Sequence, residues 1–138
     1  MYLFDTNILS EVIKKKPNQA LLYRLSKTPA RAQLTSCICV MELRYGSSRR
    51  PDHKAFWEKI ENNLLSMVRV LPVTQDIAII AGDVAASLSL KGQGISPEDM
   101  LIAATALNGN ITLVTANERH FENIKGLKVE SWLSGSPS

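Results

Sequence analysis

Apolar and polar positions alternate in blocks along the chain, and the period of the pattern changes from block to block. Tyr2, Leu3 and Phe4 form a short apolar run that stops abruptly at Asp5. A helical pattern follows over 6–16 and halts at Pro17, and Leu21, Leu22 and Leu25 share one face of a second helix over 18–27. Residues 32–36 read as a second strand. Ser36 then stands where it can cap a helix over 37–48, in which Ile38, Met41 and Tyr45 recur at helical spacing as the expected buried stripe. A longer helix over 52–66 leads into a third strand over 67–73. Thr74 caps the next helix, with Ile77, Ala81, Val84 and Leu88 directed inward and Gly92 at its end. Ser96 followed by Pro97 is the strongest helix start in the chain, because proline at the first helical position gives up no hydrogen bond. Residues 111–115 form a fourth strand, 117–121 a short helical turn, and 127–132 a fifth strand.

Strands alternating with helices predict one α/β domain with a mostly parallel central sheet of four or five strands, flanked by helices. The domain is expected to occupy 1–133, with 134–138 as a frayed tail. Sheets of this kind bind ligands beyond the carboxyl ends of their strands.

Composition refines this only slightly. The chain has 138 residues and is 45% hydrophobic, enough for one packed core without disulfides or a structural metal. No apolar stretch approaches the roughly 20 residues of a membrane span. Asp5 and Glu11 interrupt any signal-peptide pattern, so a cytoplasmic protein with no membrane association is expected. Cys37 and Cys39 lack a nearby histidine or second pair, which makes them a poor zinc signature; they read as small buried apolar residues. The net charge of +3 is mild. Local clusters say more: Lys14, Lys15 and Lys16, then Arg44, Arg49, Arg50, His53 and Lys54. Such patches hold phosphate backbones, and their plain alternative is a set of solvated helix ends.

Polar groups gather at the carboxyl ends of the predicted strands. Asp5 follows the first, Glu42 lies in the helix after the second, Asp99 in the first turn after Ser96, and Thr115 and Asn117 after the fourth. Each has a structural alternative: Asp5 as a helix cap, Glu42 on a solvated flank, Asp99 in a capping box with Ser96, Asn117 in a turn. Their joint placement on one edge points to a shared acidic site. Three close carboxylates repel one another unless a cation lies between them, and oxygen donors without His or Cys favour Mg²⁺ or Mn²⁺. Beside basic patches, such a site suits hydrolysis of a phosphodiester.

The stretches "FDTNILSE", "VMELRYG", "SPEDMLIAATALNGN" and "LVTANERHFENIKGLKVESW" together resemble a PIN-domain ribonuclease, and within that superfamily the VapC toxins of toxin–antitoxin pairs. The resemblance spans Tyr2 to Trp132. It implies a Mg²⁺- or Mn²⁺-dependent endoribonuclease that hydrolyses RNA with a metal-activated water. Asp5, Glu42 and Asp99 match the family's metal ligands, and Asn117 matches a supporting position. Thr6, Asn7 and Thr115 would orient the carboxylates. Relatives often carry an acid immediately before the Phe of the last motif, where this chain has His120; Glu118 lies two residues earlier. That departure implies one ion, or a second bound only with RNA. The family further implies a homodimer and a cognate VapB-type antitoxin whose C-terminal segment crosses the active-site groove. The alternative on the same fold is a housekeeping RNA-processing nuclease or a non-catalytic binding module. Phosphatases of the haloacid dehalogenase type need a second Asp where Asn7 stands, and receiver domains need an early acidic pair and a late lysine that are missing here.

Overall fold

The computed structural model describes residues 1–133. Its sheet is built around β1 (Tyr2–Phe4), which pairs on one side with β2 (Gln33–Ser36) and on the other with β4 (Thr112–Val114). The edges are β3 (Arg69–Leu71) beside β2 and β5 (Val129–Glu130) beside β4, giving the order β3-β2-β1-β4-β5 with every pairing parallel. Parallel pairing forces each connection to cross over the sheet; helices do so in the first three, and the last, from β4 to β5, is a loop with one short 3-10 turn, Glu118–His120. The helices are α1 (Thr6–Val12), α2 (Gln19–Ser26), α3 (Cys37–Ser48), α4 (His53–Ile60), α5 (Gln75–Leu90) and α6 (Pro97–Gly109).

The helix starts follow local chemistry. Side chains of Asn18, Ser36, Thr74 and Ser96 accept from the N–H groups of Leu21, Ile38, Ile77 and Asp99 at 3.0, 3.1, 3.3 and 3.1 Å. Each such cap is worth about 1 kcal/mol. At the far end of α5, Gly92 takes φ +71°, which lets Gln93 N–H reach back to the Leu88 carbonyl at 2.8 Å. The inward face of α5 is as expected: Ile77, Ala81 and Leu88 are buried and Val84 half-buried. α6 is buried around much of its girth, from Ile102 to Ala106, because it sits between the sheet side of the core and α5.

Trp132 locks the end of the described chain onto its beginning. Its ring meets Tyr2 and Phe4 edge-on at 4.9 and 5.3 Å, Arg24 lies over it at 4.5 Å, and its Nε1 donates to Glu130 at 3.0 Å. Truncation of an aromatic buried this way costs about 3–5 kcal/mol.

Several elements differ from the sequence expectation. α1 stops at Val12 rather than running to residue 16. Glu11 turns the chain there, accepting from Lys14 Nζ at 2.8 Å and from Asn18 N–H at 3.1 Å, and Pro17 disfavours helix at Lys16. The helix expected over 52–66 gives way after Ile60 to a single π-turn, Glu61–Leu65. The outer strands are shorter than 67–73 and 127–132, since Pro72 ends one and edge strands have one neighbour each. The buried stripe of α3 is a different one. Cys39, Leu43 and Ser47 face the core, whereas Met41 is 50% and Tyr45 65% exposed and Ile38 is only half-buried. Both rows have helical spacing, and the packing partners choose between them. Cys37, expected in the core with Cys39, is half-buried. The expected tail, 134–138, lies outside the described residues.

Candidate active site at the carboxyl edge of the sheet

The register sets Phe4 opposite both Thr35 and Val114, so Asp5, Ser36 and Thr115 leave the sheet side by side. Asp5 meets two demands at once. Its Oδ1 accepts from Thr6 N–H at 2.8 Å as the cap of α1, and its Oδ2 accepts from the Thr115 hydroxyl at 2.7 Å. The residue is only 5% exposed. Burial pushes its carboxyl above the ordinary 3.8; the bonds from Thr115 and Thr6 pull it down, and Asp99 adds repulsion.

Glu42 projects from α3 toward α1, where its Oε1 accepts from the Thr6 hydroxyl at 2.6 Å. Burial again is the main reason its carboxyl lies above 4.5, with Asp5 and Asp99 adding repulsion. Thr6 therefore holds both acids, one with its N–H and one with its hydroxyl. Asp99 approaches from α6. Its N–H donates to Ser96 Oγ, but its carboxylate Oδ2 lies 3.2 Å from His120 Nδ1, so among the described residues only the serine half of the expected capping box forms.

Asp5, Glu42, Asp99, Asn117 and His120 line one open cavity of about 680 Å³. Asn117 is exposed, and its N–H donates to Thr115 Oγ1 at 3.0 Å, so the hydroxyl that steadies Asp5 also ties down the loop after β4. Asn7 acts differently from the expectation: its Oδ1 accepts from Ala116 N–H at 3.2 Å and secures that loop rather than a carboxylate.

The donor set fits a hard divalent cation. The tightest group is Asp5, Glu42 and Cys39, whose ligand atoms all lie within 4.8 Å of one another, and Asp99 faces them across the cavity. A buried carboxylate, Asp5, and a half-buried one, Glu42, both with raised proton affinity, are relieved by a cation placed between them. Cys39 is a wall rather than a donor in this state. It is fully buried, its Sγ reaches the Phe4 carbonyl at 3.7 Å, and burial pushes its thiol up to about 11.

Beside the cavity runs a second hollow of about 590 Å³ that shares Thr6, Ser10, Lys14 and Glu42 with it. Its floor includes Ile13, Leu43 and Phe56, and its rim carries Lys14, Lys15 and Arg50. Two of the sequence-predicted basic residues are thus paired at the groove: Lys14 with Glu11 at 2.8 Å and Arg50 with Asp52 at 2.8 and 3.0 Å. Arg44 and Arg49 lie over the rings of Trp57 and Tyr45.

Sequence reasoning singled out the acids and Thr6, Asn7, Thr115 and Asn117, and the fold brings them to this edge. It missed the Asp99–His120 contact, which joins residues 21 apart with no local signal. It also missed Cys39, whose spacing of three from Glu42 on one helix was the available clue.

Fold and site together define a PIN domain, and the PIN domain family model matches residues 2–127. The chain is 32% identical over 131 residues to the tRNA(fMet)-specific endonuclease VapC of Salmonella typhimurium, covering 95% of this chain and 97% of the relative. It is 33% identical over 132 residues to Ribonuclease VapC2 of Haemophilus influenzae, covering 96% and 98%. The structure of DNA-bound VapBC from Salmonella typhimurium superposes with a TM-score of 0.88 at 32% identity, over 95% of this chain and 97% of that one. The chain belongs to the PIN domain family and, within it, to the VapC-type endoribonuclease toxins.

Proposed function

We propose that the chain cleaves RNA phosphodiester bonds at the Asp5–Glu42–Asp99 centre in a Mg²⁺- or Mn²⁺-dependent reaction. The observation that carries this is the pairing of Asp5 and Glu42 through Thr6, with Asp99 facing the same open cavity. In this reading the three carboxylates hold the ion. A bound Mg²⁺ or Mn²⁺ supplies Lewis-acid stabilisation of the phosphoryl charge and acidifies a water. The chain's own groups do the positioning. Thr6 and Thr115 keep the carboxylates aimed at the cavity. Lys15 and Lys59, which pair with no carboxylate among the described residues, attract the RNA backbone along the adjoining groove, where Lys14 and Arg50 are already paired. Asn117 stands at the cavity mouth, where its amide can hydrogen-bond water or phosphate.

The test is incubation of total tRNA and ribosomal RNA with the purified chain, with Mg²⁺, Mn²⁺ or EDTA, beside Asp5→Asn. Discrete products that need metal and vanish in the variant support the reading. Cleavage that survives EDTA or the variant would sink it.

The same reading assigns the chain a VapB-type antitoxin as partner, acting with it in the cytoplasm. A groove with an apolar floor and a basic rim fits an amphipathic segment, and an arginine from that segment can take the cation's place among the acids. The VapBC assembly of the Salmonella relative supports this pairing. The outer face of α3, with Met41 and Tyr45 exposed, suits a second copy of the chain. Light scattering of wild type and Tyr45→Glu tests the homodimer: a mass unchanged by the variant argues against this face.

A further inference from the structure

The acidic site has two unlike halves, and the second contains a nitrogen donor. On one side Asp5 and Glu42 are bound together by Thr6, and on the other Asp99 is paired with His120. We propose that His120 is a ligand of the divalent cation, entering with Asp99, and that it biases the site toward first-row transition ions over Mg²⁺. This rests on the metal-dependent reading above.

Three observations carry it. First, His120 lines the same cavity as Asp5, Glu42 and Asp99. Second, its Nδ1 lies 3.2 Å from Asp99 Oδ2. Two adjacent ligands of an octahedral ion at about 2.1 Å stand roughly 3.0 Å apart, so the pair already has the separation of neighbouring donors. Third, the His120 side chain is 57% exposed against 22% for Asp99, so the imidazole lies at the open mouth and outside the packed core. A short helical turn, Glu118–His120, carries it there directly after Asn117.

The chemistry follows from the donor type. Mg²⁺ takes oxygen ligands and keeps its waters, whereas an imidazole nitrogen adds affinity for transition ions. A site of three carboxylates treats Mg²⁺ and Mn²⁺ more evenly than one that adds a nitrogen. The hydrogen bond between His120 and Asp99 alone predicts no such discrimination.

The experiment uses the full chain and Mn²⁺ as a paramagnetic probe. Binding is measured from the loss of the free Mn²⁺ signal, with Mg²⁺ as competitor, and pulsed electron paramagnetic resonance reads ¹⁴N coupling to bound Mn²⁺. The chain has two histidines, and the Nδ1 of the other, His53, contacts the Arg50 carbonyl at 3.2 Å at the start of α4, so an imidazole coupling is attributable. Wild type is expected to show ¹⁴N coupling. His120→Asn, which still bonds Asp99, is expected to lose it and to bind Mn²⁺ roughly tenfold or more weakly relative to Mg²⁺. His120→Asp should restore tight binding while preferring Mn²⁺ less than wild type does. Mn²⁺ bound to wild type without ¹⁴N coupling, and an unchanged Mn²⁺/Mg²⁺ ratio in His120→Asn, would overturn this inference and leave the nuclease reading intact. Failure of wild type to bind either ion would overturn both.

Discussion

The two halves of the acidic edge are built to different standards. Asp5 and Glu42 are drawn from the first strand end and from α3, and a single threonine between them fixes both. Thr115 adds a further donor from just beyond β4, so three chain segments hold this half in place. Asp99 and His120 face it from α6 and a loop, Asp99 half-buried like Glu42 and His120 exposed, with one contact between them. The first half carries the electrostatic cost, because burial raises the proton affinity of both of its acids. The second half has fewer ties. Under the metal-dependent proposal, the more heavily bonded side would set the position of an ion and the other would tune which ion it is.

The sharpest way to break that comparison is to remove one acid from each half. Asp5→Asn and Asp99→Asn are both expected to lower cleavage by at least about 10²–10³-fold in a gel assay of RNA products. They should differ in stability. Metal-free Asp5→Asn keeps an oxygen to cap α1 yet sheds a buried charge, so urea unfolding at neutral pH should find it more stable than wild type, while Asp99→Asn changes little. Equal stability effects would erase the distinction between the halves.

A smaller effect is expected from the groups that aim the carboxylates. Thr115→Val and Thr6→Val keep the shape but remove the hydroxyls on Asp5 and Glu42. Steady-state cleavage should fall about 10–100-fold, with metal affinity weakened in parallel. Activity within twofold of wild type would mean that the carboxylates are held by something else.

The pH dependence has a definite sign. Both acids titrate higher in the fold than their ordinary values of 3.8 and 4.5. As pH rises from there, the unfolded chain loses these protons first, so the metal-free fold loses stability until the raised folded values are passed, and the loss is constant above them. Glu11 and Asp52 contribute the opposite slope, being held low by hydrogen bonds from Lys14 and Arg50. Subtracting the Asp5→Asn profile from wild type removes them. The difference should show wild type falling relative to the variant as pH rises, and saturating Mg²⁺ or Mn²⁺ should reduce that gap. A difference profile that is flat would contradict the burial argument. The smallest effect belongs to Asp83→Ala, exposed on α5 away from the edge, which should leave metal affinity unchanged and stability within about 0.5 kcal/mol.

Much of this was legible before the fold was known, and for physical reasons. Helix starts at Asn18, Ser36, Thr74 and Ser96 are local events, made by a side chain and an N–H two or three residues away. The alternation of strands and helices is also local in origin, and it leads to a parallel sheet with a defined working edge. Asp5, Glu42, Asp99 and Thr115 could therefore be assigned to that edge from their positions after the strands.

Two features were beyond that reach. The apolar row Ile38, Met41 and Tyr45 and the row Cys39, Leu43 and Ser47 both fit α3, and only the packing of that helix against α1, α4 and the sheet buried the second and left the first outside. His120 meets Asp99 because the loop after β4 folds back over the start of α6. Periodicity and capping act over a few residues and are written in order along the chain. The choice of buried face and the meeting of distant side chains depend on where whole elements pack, and that is decided only when all of them share one core.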